Sequence, residues 1–130
     1  MRKKRDQPDP LELIRQRVLG VWDVVSTHGR VELGMVRIMP GGHAVWHPDV
    51  RSDAPVPASD DDSYRGQWQV VPSQISGMLG SLVLNFGPND PERWASMGLV
   101  FREIPEESSF QLVDLRLRPG RGFMFHRRTA

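Results

Sequence analysis

The chain has no cysteine among its 130 residues, which excludes disulfides and thiolate metal sites outright. Long apolar runs are missing too. The stretch from Leu11 to Val25 is broken by Glu12, Arg15, Gln16, Arg17 and Asp23. No segment reaches the roughly 18 apolar residues that a membrane helix needs. The basic start, Met1-Arg2-Lys3-Lys4-Arg5, is not followed by the apolar core of a signal peptide. These absences point to a cytoplasmic location. Catalytic signatures are also lacking: there is no Ser-x-x-Lys, Gly-x-Ser-x-Gly or His-Glu-x-x-His, and no phosphate loop. Gly77-x-x-Gly80 is too short and too strand-like for a nucleotide motif. No cofactor is expected.

Net charge is +1, but unevenly placed. Without Arg2, Lys3, Lys4 and Arg5 the body carries 13 basic and 16 acidic groups. That balance does not suit a folded surface built for nucleic acid. The C-terminal arginines, Arg116, Arg118, Arg121, Arg127 and Arg128, form a second basic stretch.

What the chain does have is strand pattern. Residues 1–8 read as a disordered basic tail, and residues 9–130 as one domain. Asp9-Pro10 opens a short helix with Asp9 as cap, Leu11, Ile14, Val18 and Leu19 as its apolar face, and Gly20 at its end. From Gly20 the period changes to two. Eight strands are expected over 20–27, 31–39, 42–47, 63–71, 75–86, 97–104, 110–118 and 122–128. The fourth is the cleanest. Tyr64, Gly66, Trp68 and Val70 share one face, and Arg65, Gln67 and Gln69 the other. Pro40-Gly41-Gly42 and Pro119-Gly120-Arg121-Gly122 mark tight turns. Glycines 77 and 80 mark bends at a barrel wall. A mobile loop is expected over 48–62, and one helical turn near Asp90-Pro91. Small antiparallel sheets remove their edges by closing. The expected fold is therefore all-β, a small antiparallel up-and-down barrel, with an open sandwich as the alternative.

Two Gly-x-Trp copies stand out, Gly20-Val21-Trp22 and Gly66-Gln67-Trp68. A short helix followed by Gly20-x-Trp22 at the first strand resembles the lipocalin, or calycin, superfamily. The closer likeness is to its small intracellular bacterial domains, and avidin-type barrels share the opening motif. The resemblance implies that Trp22 closes one end of an eight-stranded barrel. It also implies a basic residue from the final strand packed over the ring. Arg127 suits that place by position, ahead of Arg118. The second Gly-x-Trp is not part of the family pattern.

Trp46, His47, Tyr64 and Trp68 are the candidate ligand-binding residues. Strands three and four should be neighbours, with the 48–62 loop at one mouth. Gly66 would leave a gap between large rings for a planar or aliphatic group, with His47 as polar partner. Gly20, Trp22 and Arg127 are read as structural. His43 and His47 lie about 13 Å apart on a regular strand at roughly 3.3 Å per residue, which argues against a shared metal. His28 should be exposed in a turn, and His126 sits at a rim or faces inward.

Two functional readings stand side by side. Four tryptophans can wall a cavity for a small hydrophobic ligand. They can equally fill a narrow barrel that serves as a structural or protein-interaction module, alone or as a homodimer. A barrel enzyme is a third reading, and would pair His47 with Asp49, or His126 with Glu103, in one pocket.

Overall fold

Antiparallel neighbours succeed one another along the whole chain until the last strand meets the first. The computed structural model describes residues 9–57, 59, 63–115 and 122–128. They form a helix, α1 (Pro10–Arg17), and eight strands: β1 (Gly20–Ser26), β2 (Glu32–Met39), β3 (His43–Pro48), β4 (Tyr64–Pro72), β5 (Gly80–Asn85), β6 (Leu99–Phe101), β7 (Ser109–Asp114) and β8 (Gly122–Arg127). The strands close into a barrel in sequence order. Every pairing is antiparallel, and β1 pairs with β8 through Trp22↔Arg127 to Ser26↔Phe123. The closed barrel is the expected architecture, and the open sandwich is not formed.

The helix begins as its sequence dictates. The Asp9 side chain accepts from the Leu11 amide at 3.0 Å, and Pro10 takes the first position, where no intrahelical donor is required. Ile14 and Val18 are fully buried against the barrel. Eight residues are too few for a helix to persist in water, so this packing holds it.

Some elements are shorter than the hydrophobic pattern suggests. Residues 75–79 form a turn, with Ile75 exposed and Gly77 at φ 85°, so β5 starts only at Gly80. Gly77 thus bends a turn rather than a wall. Strand β6 keeps three residues of the expected eight. It pairs with β5 and β7 through two residue pairs each. The helical turn expected near Asp90 is a 3₁₀ turn at Trp94–Ser96. Three expectations fall on residues outside those described: the basic tail over 1–8, Arg118, and the Pro119–Arg121 part of the last hairpin.

Aromatic rings fill the barrel in two layers. Near α1, Trp22 meets Phe110 edge-on at 4.7 Å, and Phe110 stacks on Phe125 at 4.5 Å. At the opposite mouth, Trp46 meets Trp94 edge-on at 5.3 Å, and Trp94 meets Phe123 at 4.9 Å. Edge-on and offset contacts at these distances are the favourable geometries of aromatic pairs. A small eight-stranded barrel is just wide enough for side chains to fill.

One outer wall is covered as well. Asp23, Met35, Val45 and His47 point outward by strand alternation, yet all are buried. Residues 49–57 run over them. Arg37 Nη2 donates to the Pro57 carbonyl at 3.1 Å, and Ser52 Oγ donates to Glu32 at 2.6 Å. Arg128 donates to the carbonyls of Arg51 and Ala54 and binds the Asp23 carboxylate, with Nε to Oδ1 at 3.0 Å. The segment expected as a loop is therefore tied down as a strap across the wall.

Candidate functional site

The mouth opposite α1 is where the aromatic candidates gather. Trp46 near the end of β3 and Tyr64 at the start of β4 are cross-strand partners. Trp46 is fully buried, and Tyr64 packs partly buried against the core. Phe123 enters from the start of β8, and Trp94 descends from the connection between β5 and β6. Sequence reasoning placed Trp94 in a general aromatic wall and did not single it out. The signal lay in Asp90-Pro91: a capping carboxylate four residues before a tryptophan.

That connection is held by its own hydrogen bonds. Asp90 is 4% exposed. Its two carboxylate oxygens accept from the Glu92 amide at 3.0 Å and the Trp94 amide at 3.2 Å. Arg93 takes a left-handed conformation at φ 55°, uncommon for a residue with a side chain. This reversal swings Trp94 inward over Trp46. Glu92 lies half-buried beside it. Burial, together with the nearby carboxylates of Asp90 and Asp49, pushes its carboxyl above the ordinary value of 4.5. Asp114, on the inward face of β7, is buried close to the same end.

The four tryptophans differ in one respect. Trp22 Nε1 donates to the Val18 carbonyl at 2.8 Å, and Trp68 Nε1 donates to the Met39 carbonyl at 2.7 Å. Trp46 Nε1 and Trp94 Nε1 are buried with no acceptor. A buried donor left without a partner costs on the order of 1–3 kcal/mol. Both unpaired donors lie in the same aromatic layer at the same mouth.

The other predicted residues lie elsewhere. His47 is on the outer face of β3, under the strap, and 4% exposed. Its alternation with Trp46 puts it on the opposite side of the wall from the mouth. Trp68 is half-buried against the core, its indole donates to Met39 nearer the α1 end, and it lines a recess beside Gly41 and Gly42 rather than the mouth. Gly66 does not open a gap between rings. A Cβ there would lie 1.8 Å from the Asn85 carbonyl oxygen, so the missing side chain lets β4 and β5 backbones approach. Gly20, Trp22 and Arg127 meet at the α1 end. The Arg127 guanidinium lies 4.2 Å from the Trp22 ring centre. It donates to the carbonyls of Leu19, Arg17 and Glu107.

His28 is exposed in its turn, and His126 is exposed on the outer face of β8. Among the described residues no three His, Cys, Asp or Glu side chains come together to hold a metal. No helix among them is long and apolar enough to cross a membrane. Surface recesses lie outside the mouth. One of about 230 Å³ runs between residues 102–106 and β7, and one of about 370 Å³ lies beside Gly41, Gly42 and Gln67. Neither is lined by Trp46, Tyr64 or Trp94.

The barrel with its helix and its Trp22–Arg127 contact is consistent with a lipocalin-like fold. No family model, no curated protein and no solved structure matches the chain.

Proposed function

We propose that this lipocalin-like barrel binds a small planar, largely apolar molecule at the mouth occupied by Trp46, Tyr64 and Trp94. The carrying observation is the pair of buried indole N–H groups on Trp46 and Trp94 that lack acceptors. In a filled, purely structural core both donors stay without an oxygen or nitrogen acceptor. A ligand with a hydrogen-bond acceptor relieves the cost, about 1–3 kcal/mol per donor. Trp94 rides on a connection rather than a strand, so it is the ring able to leave. In the closed form it stands where the ligand would lie. Binding is then weakened by the fraction of molecules whose mouth is open.

A packed protein-interaction module is the second reading. The two aromatic layers that already occupy the interior favour it. Fluorescence titration of the tryptophans with neutral planar compounds separates the two. The ligand reading expects saturable quenching that is stronger in Trp94→Gly and lost in Trp46→Leu, with circular dichroism unchanged. No quenching in the wild type or in a folded Trp94→Gly variant overturns it and leaves the packed module.

A further inference from the structure

Four carboxylates belong to the mouth end: Asp114 is buried on the inward face of β7, and three more flank the two indoles along the chain. Asp90 and Glu92 stand four and two residues before Trp94, and Asp49 follows β3 just beyond Trp46. The Glu92 amide donates to the Asp90 carboxylate at 3.0 Å, and Glu92 feels the charge of Asp90 and Asp49. Asp90 is spent on two backbone amides. Asp49 is exposed, and Glu92 is half-buried. The base nearest in sequence, Arg93, is exposed to solvent.

The layer beneath has another chemistry. Trp46 and Trp94 offer π-faces and two donors without acceptors, each in a residue at least nine-tenths buried. A flat body stacks on the faces. An acceptor atom within that body satisfies an indole N–H. A cationic head is drawn to the carboxylates, and indole faces attract cations as well. A carboxylate head meets like charge at close range, where partial burial weakens solvent screening.

We propose that the mouth selects its ligand by charge: it takes a heteroaromatic amine with a ring acceptor and an ammonium side group, and refuses the matching carboxylate. This rests on the ligand-binding reading above. Fatty acids and other anionic amphiphiles are accordingly poor ligands.

A matched series tests it. 4-(Aminomethyl)quinoline, 4-methylquinoline and quinoline-4-carboxylate share a flat body and a ring-nitrogen acceptor. They differ in head-group charge. Each is titrated into the full chain at pH 7.5 and low salt by tryptophan fluorescence and calorimetry, with the neutral dye Nile red as a probe of the mouth itself. The ammonium compound should bind about tenfold more tightly than the neutral one, an advantage of the size expected for partly buried charges. The carboxylate should show no saturable binding. In Glu92→Gln the ammonium advantage should fall several-fold while Nile red binding persists. In Asp49→Asn it should fall less, because Asp49 is more exposed. Equal affinity for ammonium and neutral compounds, or saturable binding of the carboxylate, overturns the charge selection and leaves the ligand-binding reading intact. Failure of all three quinolines and of Nile red, in a chain that is folded by circular dichroism, overturns both.

Discussion

The guanidinium of Arg127, in the last strand, sits 4.2 Å from the ring centre of Trp22, in the first. The indole is fully buried, its N–H is held by Val18, and it forms a T-shaped contact with Phe110. Helix, first strand and last strand thus converge on one ring. Trp22→Ala should cost about 3–5 kcal/mol, as for other buried large-to-small changes. Urea unfolding measures this. A loss below about 1 kcal/mol would show the ring dispensable and remove the chief support for the lipocalin-like reading.

Gly20 is fixed by the same contact. Its φ of 136° is one that other residues rarely adopt, and a Cβ there would fall 2.2 Å from Arg127 Nη1. Gly20→Ala should destabilise the protein by about 1–3 kcal/mol and push the guanidinium off the ring. A drop in thermal midpoint should therefore come with a change in Trp22 fluorescence. A fall in midpoint with unchanged fluorescence would show that backbone strain alone is responsible.

The strap makes a separate prediction. Arg128 and Asp23 form a buried pair, and Arg128 also reaches the strap carbonyls of Arg51 and Ala54. Removing the arginine strands a buried carboxylate, so Arg128→Ala should cost about 3–5 kcal/mol. It should also free residues 49–57, which limited proteolysis would detect as faster cleavage there. The double change Asp23→Leu with Arg128→Met should recover much of the stability but not the protection of the strap.

Glu92 gives the pH dependence. Its carboxyl is raised in the folded state by burial, then by Asp90 and Asp49. The folded protein therefore holds this proton to higher pH than the unfolded chain does. Stability from this group is greatest at low pH and falls as pH rises from the unfolded value near 4.5 through the raised folded value. Glu92→Gln should leave stability unchanged below pH 4.5 relative to a protonated Glu92, and raise it above the window. Urea midpoints from pH 4 to pH 8 would show the two curves diverging upward in pH. Parallel curves would place Glu92 in solvent.

The fold was legible because alternation and punctuation agreed. Tyr64, Gly66, Trp68 and Val70 against Arg65, Gln67 and Gln69 read as a half-buried strand, and Asp9-Pro10 before an apolar stripe reads as a helix start. The termini of β5 and β6 were less legible. Ile75 and Met78 continue an apolar pattern, but Gly77 sits in a turn, and nothing local says that β6 needs only three residues to bridge its neighbours. The site was legible in part. Tyr64 and Trp46 follow from adjacent strands. The outward burial of His47 does not, because the strap that covers it is rich in proline and polar residues and reads as solvent-exposed. Trp94 is readable only as one of four wall tryptophans, because its place at the mouth depends on the Asp90 turn and on a left-handed Arg93, neither of which has a periodicity to read.

Closure between β1 and β8 also governs how the chain reaches its structure. Asp23 and Arg128 are 105 positions apart, so the contact that completes the ring bridges nearly the whole sequence. The entropy of bringing such distant segments together is lost before their contacts compensate, which makes all-β domains of this kind slow to fold, in about milliseconds to seconds. Until the last strand is in place the first strand has one neighbour instead of two, Asp23 lacks its partner, and the strap is held only from β2, by Arg37 and Glu32. Assembly is therefore expected to be cooperative. The backbone amides of β1 and β8 should exchange with deuterium together, at the rate of global opening.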